Sequence, residues 1–312
     1  MAISLRKTDP GSTGLDIDGS YLSAVGARDG QVRSAASVDL PEGVVVDGEL
    51  RDPLQLAEAL KQLFAGTRLS RKVRLGVANQ QIVMRQIELP PIEDEEDRAA
   101  AVRFQAAEAV PMPLDEAVLD YQVVGEAISP EGVARSRIML VAARKSMIEM
   151  FVAAVSSAGL RPVGVDLDAF ALVRTLALPD PDPTDAVLYC HLGGSTNLAI
   201  ALGSTCLFTR PLTSVVGAEA GDGADPVQGL AEEIRLSMDY YLAQPDARPV
   251  ARVMLSGPGS AREGFAAELA EATALEVVVA EPLGLLGVSG MAPGEDPHRH
   301  TVAAGLALGA PA

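Results

Sequence analysis

Two short stretches hold the residue types that can grip an anion. The first is His191-Leu192-Gly193-Gly194-Ser195-Thr196-Asn197, set between the apolar runs 187–189 and 198–202. Glycines let backbone N–H groups approach a negative charge closely, and Ser195 and Thr196 add hydroxyl donors. The second is Gly14-Leu15-Asp16-Ile17-Asp18-Gly19-Ser20, which continues into the apolar run that begins at Tyr21. Registering Gly19-Ser20 on Gly194-Ser195 sets Asp16 opposite His191 and Asp18 opposite Gly193. Each stretch is a candidate phosphate cradle, and Asp16 and Asp18 are the acids available for general-base work there.

Both stretches need strands to hold them. Short apolar runs bounded by Gly and Ser predict β-hairpins, each followed by a third strand: 32–40 after Asp29-Gly30, and 206–212 after Gly203-Ser204. A hairpin unit that occurs twice predicts two halves of similar topology facing each other across a cleft. Between the copies, leucines 56, 60 and 63 with Phe64 predict a helix over 53–64. From 81 to 167 the pattern is strand, helix, two strands, helix, strand, an inserted α+β unit. Its first helix starts at the acidic run 93–97, with Asp94 as N-cap, and stops before Pro111-Met112-Pro113. A helix over 169–176 leads to the proline-rich linker 179–183. The second half then has an amphipathic helix over 225–244, a strand ending in Ser256-Gly257-Pro258-Gly259-Ser260, a helix over 263–273, a short strand over 277–280 and a last helix over 301–308.

Composition narrows the function classes. The chain has 312 residues, enough for two lobes with their own cores, and is 48% hydrophobic and 21% charged. A net charge of −17 argues against nucleic acid or an anionic membrane as the main partner. No apolar run reaches the roughly 20 residues a membrane helix needs, and the opening MAISLRKTDPGST shows no signal-peptide core. Cys190 and Cys206, on strands expected to be neighbours, read as two buried thiols in a cytosolic protein. Three histidines, two of them in the loop 296–300, do not make a metal site.

Taken together, GLDIDGSYLSAV (14–25), IELPPIEDEEDRAAAVRFQAAEAVPMPLDEAVLDYQVVG (87–125), MLVAARKSMIEMFVAAVSSAGLRPVGVDLDAFALVRTL (139–176), HLGGSTNLAIALGSTCLFTRPL (191–212), EEIRLSMDYYLAQ (232–244) and LSGPGS (255–260) resemble the PilM family. These are actin-like proteins of type IV pilus assembly, related to the cell-division protein FtsA. The resemblance implies an α/β, actin-like (ribonuclease H-like) two-lobe fold, with a first lobe over 1–178, a linker over 179–183 and a second lobe over 184–312. It implies an inserted βαββαβ subdomain of SHS2/FtsA type at about 81–167. It also implies a cleft for ATP and Mg, with Asp16, Gly19, Ser20, Gly193, Gly194, Ser195 and Thr196 at the phosphates. Gly257 and Gly259 would lie by the adenosine, and Glu233 and Ser237 near the ribose and base.

Three departures weaken that nucleotide site. Asp18 stands where the family's first loop has Gly, and Ser23 where it has Lys, which removes an attraction of about 4 kcal/mol at 4 Å and an effective dielectric near 20. His191 replaces the Asp that opens the second loop. Only 213–224 fills the place of a helical subdomain, so the second lobe's helical part is expected to be reduced or missing. Binding of ATP and Mg is therefore expected to be weak or lost, and the chain to act as a scaffold rather than an enzyme. The partner implied is the N-terminal cytoplasmic tail of a PilN-like inner-membrane protein, met at the inner face of the cytoplasmic membrane, with self-association also open. The tail would lie between the first lobe and the insertion, gripped by Phe104, Val110 and Met112, with Val102 and Ala106 assigned to the core. The other readings are an active ATPase or kinase of the same superfamily and the cytoplasmic domain of a GspL-like type II secretion protein.

Overall fold

The computed structural model describes residues 11–129, 132–177, 183–212, 225–244, 247–281, 291 and 294–309. Most of the linker 179–183 and all of the segment 213–224 lie outside these residues. Two five-stranded sheets dominate. The first contains β1 (Thr13–Ile17), β2 (Tyr21–Arg28), β3 (Gln31–Asp39), β6 (Lys72–Val77) and β10 (Arg161–Leu167). The second contains β11 (Ala186–Leu192), β12 (Thr196–Leu202), β13 (Thr205–Leu212), β14 (Val250–Ser256) and β15 (Glu276–Val279). Their strand orders, β3-β2-β1-β6-β10 and β13-β12-β11-β14-β15, superimpose element by element. In each, three antiparallel strands are followed by two parallel ones. The duplicated hairpin is thus the visible part of a duplicated sheet.

Between β3 and β6 the chain adds the short strands β4 (Val45–Val46) and β5 (Glu49–Leu50) and helix α1 (Pro53–Phe64). Asp52 caps α1 by accepting hydrogen bonds from the Leu54 and Gln55 amides, and Pro53 occupies the first turn, where its missing N–H costs nothing.

The stretch 81–167 runs in the expected order, but pairing divides it between two sheets. β7 (Val83–Leu89), β9 (Ala134–Arg144) and β8 (Ala117–Ile128) form a separate three-stranded sheet covered by α2 (Glu95–Ala109). Helix α3 (Lys145–Ser157) and β10 instead belong to the first lobe. β10 pairs with β6, and Met147, Ile148, Phe151 and Val155 join the core of α1. The cause is register: β10 presents Val165 and Leu167 to the face that α3 and α1 cover.

The last helix crosses back. In the second half, α5 (Pro226–Leu242) and α6 (Phe265–Thr273) cover the second sheet, but α7 (Thr301–Leu308) packs on β1 and β2 of the first. A Cβ on Gly14 would lie 2.0 Å from the Ala303 carbonyl oxygen, and one on Gly305 would lie 1.9 Å from that of Ala171 in α4 (Asp168–Leu176). Glycine at both positions lets α7 lie against β1 on one side and α4 on the other. Helix α4 in turn packs on the second sheet, with Leu172 and Leu176 against Tyr189 and Ala199. The lobe limits 1–178 and 184–312 are therefore bridged in both directions. Buried Asp166 reinforces the joint: it pairs with Arg174 at 3.0 Å and Arg74 at 3.6 Å, while Arg174 donates to the Gly305 carbonyl at 2.6 Å.

The two cysteines are free and buried, but they are not on neighbouring strands, since β12 separates β11 from β13. Burial pushes the Cys206 thiol up to about 12 and the Cys190 thiol higher still, so both stay protonated.

Candidate functional site

The two glycine turns meet where the sheets face each other. β1 ends at Ile17 and β2 begins at Tyr21; β11 ends at Leu192 and β12 begins at Thr196. The turns abut so closely that a Cβ on Gly19 would lie 3.5 Å from the Gly194 carbonyl. Asp18 fills the space between them. Its Oδ1 accepts from the Ser20 amide at 2.9 Å, the Ser20 hydroxyl at 3.0 Å and the Gly194 amide at 2.7 Å; its Oδ2 accepts from the Ser195 amide at 3.4 Å. A Cβ on Gly193 or Gly194 would lie 2.3 Å or 2.5 Å from this carboxylate. The cradle is built for an anion, and the anion it holds is the chain's own. Burial raises the Asp18 pKa, and the four hydrogen bonds oppose that rise.

Two further carboxylates lie behind it. Asp16 Oδ2 and Asp168 Oδ1 are buried without a hydrogen-bond partner. Burial, and then the charge of Asp168, raises Asp16 well above the usual carboxylate range; burial, and then the charges of Asp18 and Asp166, pushes Asp168 up to about 8. Asp168 was not singled out from the sequence. The available signal was an acid at 166 and another at 168 inside the apolar stretch 163–173, where only burial or function places acids.

The substituted positions have work of their own. Both ring nitrogens of His191 are engaged, Nε2 with the Tyr21 hydroxyl at 3.1 Å and Nδ1 with the Ser256 hydroxyl at 3.0 Å. Burial, and then the nearby His298, pushes its pKa down to about 4, so it is neutral at pH 7 and offers no charge to a metal-bound water. Ser23 is engaged elsewhere: its hydroxyl bonds His300 Nδ1 at 2.7 Å, and His300 Nε2 lies 3.3 Å from Glu295.

The remaining predicted site residues divide. Thr196 is buried in β12, paired with Leu192. Glu233 and Ser237 do share a face of α5, but Arg210 of β13 occupies it, 2.7 Å from Glu233 and 3.4 Å from the Ser237 hydroxyl. Gly257 has φ +86°, and a Cβ there would meet the Leu192 backbone at 2.6 Å; one on Gly259 would meet the Leu192 side chain at 2.8 Å. Packing against the end of β11 thus accounts for both glycines. Asp18 thus occupies three backbone donors of the two turns, the Ser20, Gly194 and Ser195 amides. Among the described residues no group of three or more His, Cys, Asp or Glu is placed to hold a metal ion.

On the insertion, Val102 and Ala106 are core residues, as expected. Val110 is a correction. Assigned to a partner surface, it is buried in the same cluster, because the helix stop at 110 turns it inward against the sheet. Met112 is half-buried beside it, and Phe104 is 79% exposed. β8 is an edge strand of its sheet.

A family profile described as type IV pilus assembly protein PilM matches residues 14–215, more than half of the chain. The chain belongs to the PilM family. Among solved structures, this PilM-family chain is similar to a PilM–PilN type IV pilus biogenesis complex, at 24% identity and a TM-score of 0.77, covering 97% of this chain and 99% of that one. It also resembles the ethanolamine utilization protein EutJ from Carboxydothermus hydrogenoformans, at 15% identity and a TM-score of 0.53, covering 99% and 92%. The cytoplasmic domain of EpsL, an inner-membrane component of the Vibrio cholerae type II secretion system, matches at 11% identity and a TM-score of 0.50, covering 94% and 93%. These likenesses show the actin-like fold. No helix among the described residues is long and apolar enough to cross a membrane.

Proposed function

We propose that this protein is a scaffold of type IV pilus assembly that holds the N-terminal tail of a PilN-like inner-membrane protein, with a nucleotide cleft closed by its own side chain. The observation that carries the reading is the Asp18 carboxylate, which accepts hydrogen bonds from both turns across the cleft. A polyphosphate must displace it and then sit beside the buried carboxylates Asp16 and Asp168, so both the donors and the local field oppose binding. Membership of the PilM family supports the pilus role. The resemblance to a PilM–PilN complex supports the partner, through which the chain would reach the inner face of the membrane.

The tail would be held on the insertion, where Phe104 of α2 is a large exposed apolar residue and Met112, beyond the end of that helix, is only half-buried. Fluorescence anisotropy with a labelled tail peptide tests the partner reading. Phe104→Asp should lower affinity by about 2 kcal/mol with the melting temperature unchanged, and unchanged binding would move the groove elsewhere. Calorimetry with Mg-ATP tests the closed cleft. The unmodified protein should show no low-micromolar site, and Asp18→Gly should gain affinity. Low-micromolar binding by the unmodified protein would instead favour the ATPase or kinase reading.

A further inference from the structure

A large cavity lies away from the cleft. It lies at the opposite end of β1, about 17 Å along the strand from the Asp18 turn. Its volume is about 1080 Å³, and its walls come from the start of β1, the β2–β3 hairpin, the loop before β6 and the end of α7. Three arginines, Arg28, Arg33 and Arg68, line it against one acid, Asp29. On a chain of net charge −17 such a pocket is a local reversal of sign. Arg28 lies 3.9 Å from Asp29, and neither Arg33 nor Arg68 has an ion-pair partner among the described residues.

Two features make this more than loose surface charge. The β2–β3 register slips between Gly26 and Ala27, so that Val32 faces Ala27 and Ser34 faces Gly26, leaving Arg33 as the extra residue of a bulge. Bulges re-aim side chains, and this one brings an arginine from the hairpin to the same cavity as Arg68 from a different loop. Ser12, in the cavity wall, is buried, and its hydroxyl has no hydrogen-bond partner. A buried hydroxyl left unpaired is unfavourable unless something else comes to bond it.

We propose that this cavity binds a phosphate-bearing anion. Planar guanidinium groups pair with phosphate oxygens bidentately, which suits them to such a ligand better than lysine would be. The same chemistry describes a small soluble polyphosphate and a phospholipid headgroup.

The test uses the full chain at low ionic strength, with inorganic pyrophosphate in calorimetry and phosphatidylglycerol vesicles in flotation. The unmodified protein should bind one of the two, with affinity falling as salt is added. The double variant Arg33→Ala/Arg68→Ala should lose at least tenfold. Because both arginines are exposed, its melting temperature should not move, and Ser12→Ala should give a smaller loss in the same direction. Pyrophosphate binding assigns a soluble anion; vesicle binding alone assigns a headgroup. Binding of neither, or binding that the double variant leaves intact, would overturn the proposal.

Discussion

The two ends of β1 meet opposite electrostatics, although one strand connects them. At its start, the three arginines Arg28, Arg33 and Arg68 border an open cavity. At its finish, Asp16, Asp18 and Asp168 are buried at the meeting of the lobes. The difference lies in how charge is balanced. Exposed guanidiniums keep most of their hydration and need no internal partner. The buried acids must be paired, hydrogen-bonded or neutralised by a proton, and the structure uses all three solutions: Asp166 is paired with arginines, Asp18 is held by backbone N–H groups, and burial raises the pKa of Asp16 and Asp168, the latter to about 8. Where the two turns meet, the Asp18 carboxylate holds amides of both. The free cationic surface lies at the other end.

The sharpest way to break this contrast is to remove a paired acid. Asp166→Ala removes the buried carboxylate that pairs with Arg74 and with Arg174 of α4, so denaturant unfolding should show a loss of about 3–5 kcal/mol. If Asp166 and Arg68 proved equally dispensable, burial would not distinguish the two ends.

A smaller effect is expected at Asp18. Asp18→Ala orphans the amides of Ser20, Gly194 and Ser195, which should cost about 1–3 kcal/mol. Pyrophosphate, by filling the vacated cradle, should raise the melting temperature of this variant by more than it raises that of the parent. A loss that no anion relieves would mean that the turns are held by packing alone.

Smaller again, and dependent on pH, is Asp168. Its folded pKa lies above the ordinary value, so the native state binds more protons than the unfolded chain. Its contribution is therefore intact below about pH 4 and is lost as the pH rises from there to about 8. Asp168→Asn removes the titration. It should raise the melting temperature at pH 8 by about 2–4 °C relative to the parent, with little change at pH 5. An equal shift at both pH values would show that the carboxyl is not titrating in this window.

At the far end the expected effect on stability is close to zero. Arg68→Ala should change unfolding free energy by less than about 0.5 kcal/mol, because the side chain is exposed and has no ion-pair partner among the described residues. A larger change would reveal a structural partner and weaken its reading as a ligand group.

Local patterning along the chain is legible without the fold. Apolar runs split by Gly-Ser are sufficient to specify both hairpins, since turn chemistry and alternation act over a few residues. Asp94 followed by three acids was sufficient to start α2, and the duplication of the sheets followed from the repeated pattern. Tertiary structure decided everything that depends on residues far apart in the chain. Asp18 reads as one more polar residue of a turn until Gly194, 176 positions away, presents its amide. The same holds for Glu233 and Ser237, whose face is taken by Arg210 from another strand, and for Val110, whose burial depends on a sheet that β9 completes. The crossing of α7 onto β1 could not be read from its eight largely apolar residues, because apolarity says that a helix is buried and not against what. Likewise Arg28, Arg33 and Arg68 are unremarkable singly; only a bulge and a loop closing on the start of β1 make them one site.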